Sequence, residues 1–191
     1  FSPRFIHIDV SSGASDAMGI AMVHPIGVKE VKEWDSIGGF RKELMRPVYE
    51  VDFALRITRS DPTHMIDYGK VRQFVVWLRD ECGYNIKRVS ADLLHASMET
   101  LDVLAREQFE TKYLSVDKKK DPYVQLKQAI FEKRLKMCRW NWFMLEMLNL
   151  EEDGKKIDHP KNWTAKIKNF AAGTDVASKD VSDAVAGAMF S

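Results

Sequence analysis

Ser178-Lys179-Asp180-Val181-Ser182-Asp183-Ala184-Val185-Ala186-Gly187 opens on a good N-cap, and the spacing behind it predicts a helix. Val181, Val185 and Met189 fall on one stripe of that helix, and Asp180, Asp183 and Gly187 on another. Two carboxylates therefore project from one side of an element whose other side is apolar. The small residues Ala184, Gly187 and Ala188 let the helix approach a sheet closely, so its carboxylates can meet others at strand ends. Taken alone, the pair reads as a well-capped helix, because acids near a helix N-terminus are favoured by its dipole. What the stretch means depends on where the rest of the chain delivers its acids.

Residues 4 to 10 alternate, with Ile6, Ile8 and Val10 on one face and Phe5, His7 and Asp9 on the other. This predicts a central strand that ends on Asp9. Ser11 to Asp16 form a turn-rich loop, and Gly19 to His24 return as a second strand. Residues 28 to 46 read as polar and irregular, with a turn at Gly38-Gly39; Val48 to Arg59 then give a third strand and complete a meander. The period changes to that of an amphipathic helix over Ile66 to Cys82, stopped at Gly83. Asn85 to Asp92 is a strand again, which a right-handed crossover places parallel to an earlier one. If that neighbour is the first strand, Asp92 and Asp9 meet at one sheet edge.

Further along, Met98, Leu101, Leu104 and Ala105 mark a helix, and Thr111 to Val116 a short strand. Asp121 N-caps a helix with Pro122 at its first position, carrying Tyr123, Leu126 and Ile130 inward to about Arg134. Leu135 to Cys138 read as an edge strand and Trp142 to Leu150 as a helix, with Trp140, Trp142, Met144 and Met147 as core. His7 and His95 read as structural.

At 191 residues the chain suits one buried domain, and its net charge of +1 excludes any inference of function from bulk charge. Its two cysteines, Cys82 and Cys138, suit reduced thiols in a cytosolic setting better than a disulfide scaffold. No run is long and apolar enough to span a bilayer. The sequence begins at Phe1 as if in mid-polypeptide, which suggests an excised domain.

Carboxylates from three remote elements, aimed at one sheet edge, would repel one another unless a cation lay among them. Oxygen-only donors favour Mg2+ or Mn2+, and the scattered histidines and cysteines offer no zinc spacing. Two such ions about 4 Å apart clamp the attacking and leaving oxygens of a phosphoryl displacement.

A meander whose first strand carries His7-Ile8-Asp9-Val10, a crossover strand ending Val89-Ser90-Ala91-Asp92, and a final helix opening Asp180-Val181-Ser182-Asp183-Ala184 resemble the ribonuclease H-like superfamily. Together with Tyr123-Val124-Gln125-Leu126-Lys127 and Lys156-Ile157-Asp158-His159-Pro160, they are similar to the C-terminal nuclease domain of the large terminase subunit of tailed bacteriophages. The resemblance implies an α/β fold, a mixed sheet flanked by helices. It also implies a metal-dependent endonuclease that cuts concatemeric viral double-stranded DNA during genome packaging in the host cytoplasm. Asp9, Asp92, Asp180 and Asp183 would be the catalytic, metal-holding acids, with Asp16 a weaker match. Which of Asp180 and Asp183 is the closer ligand stays open, since some relatives open this helix with His-Asp-Asp.

Lys155, Lys156, Lys161, Lys166 and Lys168 are candidates for contacting DNA phosphates, and Lys118 to Lys120 read equally as a solvated loop. His159 either approaches the site or shapes a turn with Pro160. An ATPase half is absent, since no Gly-x-x-x-x-Gly-Lys-[Ser/Thr] occurs. In a full-length protein the resemblance implies an N-terminal ATPase, a portal and a small terminase subunit as partners, with the isolated domain monomeric. Two alternatives keep the fold: a Holliday-junction resolvase, which also ends in Asp-x-x-Asp-Ala, and a catalytically idle module that docks DNA or a portal.

Overall fold

The alternation at residues 4 to 10 becomes strand β1 (Arg4–Asp9) in a computed structural model. The structure describes residues 2–10, 17–34, 41–59, 65–92, 95–116, 118–152, 154, 157–158 and 179–191. β1 pairs antiparallel with β2 (Met18–Trp34), which pairs antiparallel with β3 (Arg41–Ile57). On its other side β1 pairs in parallel with β4 (Ile86–Ala91), reached through helix α1 (Tyr68–Asp80). Helix α2 (His95–Arg106) then leads to β5 (Thr111–Tyr113), parallel to β4. Helix α3 (Asp121–Phe131) precedes β6 (Leu135–Lys136), which adds in parallel to β3. The six-stranded sheet thus runs β5-β4-β1-β2-β3-β6. Helix α4 (Asn141–Leu148), the small hairpin β7 (Glu151–Glu152) and β8 (Ile157–Asp158), and helix α5 (Asp180–Phe190) complete the described elements.

Each face of the sheet buries its own apolar cluster. Ile6, Ile8, Val10, Ile20 and Val89 pack with Val71, Val75 and Leu78 of α1 and Leu101 and Leu104 of α2. Ala21, Val23 and Val51 pack on the opposite side with Tyr123 and Leu126 of α3, Phe143 of α4, and Val181, Ala184 and Val185 of α5. β1 is therefore central and covered on both faces, as expected for it. α5 fills the space between sheet, α3 and α4 so completely that every residue from Asp180 to Met189 is buried. The helix is not half apolar and half polar, as its stripes suggested; its polar side is enclosed too.

Other expectations are corrected. Residues 28 to 34 and 41 to 46 are not irregular: β2 and β3 stay paired out to Trp34 opposite Arg41, while residues 35 to 40, where a turn at Gly38-Gly39 is expected, lie outside the described residues. This arm reads as polar because it leaves the core. Val31 is buried, yet Val28 and Met45 are each 64% exposed, so little hydrophobic alternation is needed there. Lys120, not Asp121, occupies the N-cap of α3 and makes no side-chain cap bond; Asp121 and Pro122 stand in the first turn, where a missing N–H costs nothing. That helix stops at Phe131, short of Arg134, with Lys133 in a left-handed conformation. Its inward face is Tyr123, Leu126 and Ala129, which turns Ile130 outward. Met144 is half exposed rather than core, while Trp140, Trp142 and Met147 are partly buried against the second cluster. β5 ends at Tyr113, before the expected Val116, and both cysteines are exposed and free. The expected N-cap of α5, Ser178, and the side chain of His95 lie outside the described residues.

Candidate active site

Parallel pairing sets Ile8 opposite Ala91, so Asp9, the last residue of β1, and Asp92, the first beyond β4, stand at the same end of neighbouring strands. Asp9 faces Gly19 on β2, and Gly19 faces Arg56 on β3, which carries the row across the sheet. The first turn of α5 lies over this row. A Cβ at position 19 would overlap the carbonyl oxygen of Asp180, and one at position 187 would overlap the ring of His7. Two glycines, one on the strand and one on the helix, thereby set how deeply α5 sinks and hence where its acids sit.

Asp92, Asp180 and Asp183 all lie near enough to Asp9 for their charges to act on it. Asp9 is 8% exposed, Asp92 7%, Asp180 8% and Asp183 2%. Burial pushes the Asp9 carboxyl well above the usual carboxylate range, and the charges of Asp183, Asp180 and Asp92 push it further; the Lys179 ammonium pulls the other way. Asp183 accepts from the Tyr123 hydroxyl at 2.6 Å on Oδ1 and from Lys179 Nζ at 2.7 Å on Oδ2. Asp92 Oδ1 accepts from the Val116 amide at 3.2 Å, and the Ser97 hydroxyl donates to the Asp92 carbonyl. Asp180 lies 3.9 Å from the guanidinium of Arg56, which stacks 4.5 Å over the Trp142 ring.

A fifth acid belongs to this neighbourhood. Glu146 of α4 is 1% exposed, accepts from the Ser182 amide at 2.6 Å, and accepts from Trp142 Nε1 at 3.0 Å. Lys179, the cap residue of α5, makes no side-chain cap bond, so Glu146 caps the helix from a neighbouring element. Burial lifts its carboxyl to about 7, against the Ser182 hydrogen bonds that lower it; the charge of Asp180 is a smaller upward push. His7 is structural, as expected. Its Nδ1 lies 2.9 Å from Ser90 Oγ, and burial drops its pKa to about 3, so the ring is neutral.

The donor chemistry fits a hard divalent cation, because the carboxylates offer only oxygen and a cation relieves their mutual repulsion. As the side chains stand, no three acids, histidines or cysteines among the described residues gather closely enough to hold one. The oxygens are turned to internal partners: Asp183 to Lys179 and Tyr123, Asp92 to the Val116 amide, Asp180 towards Arg56. Asp16, Lys155, Lys156, His159, Lys161, Lys166 and Lys168 lie outside the described residues. A cavity of about 310 Å³, lined by Arg46, Tyr49, Asp121, Gln125, Gln128 and Arg134, opens beside the β3 and β6 pairing, and none of the four aspartates lines it.

Sequence reasoning missed Glu146, Lys179, Tyr123 and Arg56 as members of this site. Glu146 had a signal, being the one acid of an otherwise apolar turn, four residues after Trp142. Lys179 stands four residues before Asp183, the spacing of a helical ion pair. The contact of Tyr123 with Asp183 spans sixty positions and had no local signal.

A mixed sheet of this order, with acids leaving its two central parallel strands and an acid-bearing helix laid across their ends, is the ribonuclease H-like architecture. The chain is similar to the crystal structure of the large terminase nuclease from thermophilic phage G20c, with a TM-score of 0.55 and 13% identity over 99% of this chain and 82% of that one. At that identity the likeness establishes the shared fold. No protein-family model and no curated protein matches the sequence.

Proposed function

We propose that the chain is a divalent-metal-dependent endodeoxyribonuclease that cuts concatemeric viral double-stranded DNA during genome packaging. The observation that supports this best is the meeting of Asp9, Asp92, Asp180 and Asp183, from two strand ends and one helix, inside the fold of a phage terminase nuclease. Two Mg2+ or Mn2+ ions, when bound, would generate hydroxide from water and neutralise charge on the departing 3′ oxygen. Asp9 and Asp92 would hold them from the sheet and Asp180 and Asp183 from the helix, with Asp16 as a further acid. Tyr123 and Glu146 fix the helix that carries two of these acids, and the deep seating of α5 keeps bulk water from their apolar flank.

Lys155, Lys156, Lys161, Lys166 and Lys168 would grip DNA phosphates without reading sequence, and His159 would support the site from the same tract. In the host cytoplasm, the longer protein would pair this domain with an ATPase and work with a portal and a small terminase subunit. Incubation of supercoiled plasmid with the protein and Mn2+ tests the reading. Cleavage to linear duplex, blocked by EDTA and by Asp9→Asn, is the expected result; an intact plasmid at every metal concentration would sink it.

A further inference from the structure

We propose that the Lys179 ammonium is a built-in counter-cation that occupies the charge position at Asp183 and must leave it before a divalent ion can engage that carboxylate. The inference rests on the metal-dependent reading above and deepens it.

Lys179 is only 8% exposed, with Nζ 2.7 Å from Asp183 Oδ2 and 5.9 Å from the centroid of the Tyr123 ring. Asp183 Oδ1 is taken by the Tyr123 hydroxyl, so both oxygens of the deepest of the four aspartates face internal partners. The same ammonium acts on Asp9, where it opposes the push of three carboxylates. Buried carboxylates in this number would strain the fold without compensating cations; the Arg56 guanidinium lies beside Asp180, and the Lys179 ammonium is in direct contact with Asp183. A lysine suits the task, because a compact charge on a flexible four-carbon stem can hold a carboxylate and later swing away. Lys179 stands just before the first turn of α5, so its stem can move without moving the helix.

The two roles give effects of opposite sign. Without the ammonium, the metal-free cluster repels itself more strongly while Asp183 becomes open to a metal ion. A residue that only packs would change both properties in the same direction.

The test compares wild type with Lys179→Met, which keeps most of the stem and removes the charge. Mn2+ binding is measured by titration calorimetry, and melting is measured in EDTA and at saturating Mn2+. The expected variant binds Mn2+ at least tenfold more tightly, melts lower in EDTA, and recovers the wild-type melting temperature with Mn2+. Wild-type or weaker Mn2+ affinity in the variant overturns the inference while leaving the metal reading in place. If neither protein binds Mn2+, the metal reading falls and the inference with it. Should Lys179→Met fail to fold, wild type answers instead: its buried ammonium resonance, assigned by its absence in Lys179→Arg, must pass into fast exchange with water on addition of Mg2+. Persistence of that resonance at Mg2+ saturation overturns the inference.

Discussion

The Tyr123 hydroxyl donates to Asp183 Oδ1 at 2.6 Å and also lies 2.9 Å from Ser182 Oγ, which ties α3 to the acid-bearing turn of α5. Burial and the neighbouring Asp183 charge hold the phenol protonated, so it remains a donor at every ordinary pH. Tyr123→Phe keeps the ring and removes a buried hydrogen bond to a charged group, worth about 1.5–3 kcal/mol. Urea unfolding should register a loss of that size. A variant as stable as wild type would show that the contact holds nothing in place.

Asp92→Asn removes one of the charges that push Asp9 upward, yet its side-chain oxygen can still accept from the Val116 amide. In EDTA the variant should therefore melt at or above the wild-type temperature while plasmid cleavage disappears. Retained cleavage at the wild-type rate would remove Asp92 from the site.

Gly19→Ala and Gly187→Ala probe the seating of α5. Alanine usually gains about 1 kcal/mol over glycine inside a helix, so Gly187→Ala would stabilise an unconstrained one. Here the added methyl meets the His7 ring, and overpacking of about 1–3 kcal/mol should reverse the sign. At Gly19 the obstacle is the Asp180 backbone carbonyl, which cannot rotate away as a side chain can, so the loss should be larger. Urea midpoints rank the two, and the opposite order would contradict the packing described.

Glu146 supplies a pH dependence. Its folded value of about 7 lies above its ordinary 4.5, so the native state holds the proton more tightly than the unfolded chain. The stability it contributes is complete below about pH 4.5 and is lost as pH rises through about 7; the whole span amounts to roughly 3 kcal/mol. Glu146→Gln should flatten that slope, so that it gains stability relative to wild type between pH 5 and pH 8. A constant difference between the two proteins across that range would show that Glu146 does not titrate there.

The order of elements was legible because each carries its own period: alternation at Ile6, Ile8 and Val10, and helical spacing at Val71, Val75 and Leu78. The crossover rule made β4 parallel to an earlier strand without saying which, and it is the pairing of β4 with β1 that sets Asp92 beside Asp9. The long β2 and β3 arm was not legible, because strands that leave the core need no buried stripe to stay paired, and backbone hydrogen bonds leave no mark in composition. The internal partners of the acids were hidden for a different reason. Tyr123, Glu146 and Arg56 reach α5 through contacts between elements distant in sequence, and a residue pattern records which face is buried without recording what it meets.

Helix α5 is wrapped on every side, yet it comes after all the strands and helices that wrap it. On a ribosome, the sheet, α3 and α4 would emerge with an open trench where that helix belongs, and Asp9 and Asp92 would wait there without their counterparts. The gathering of the acids would thus wait on synthesis of the helix that covers them.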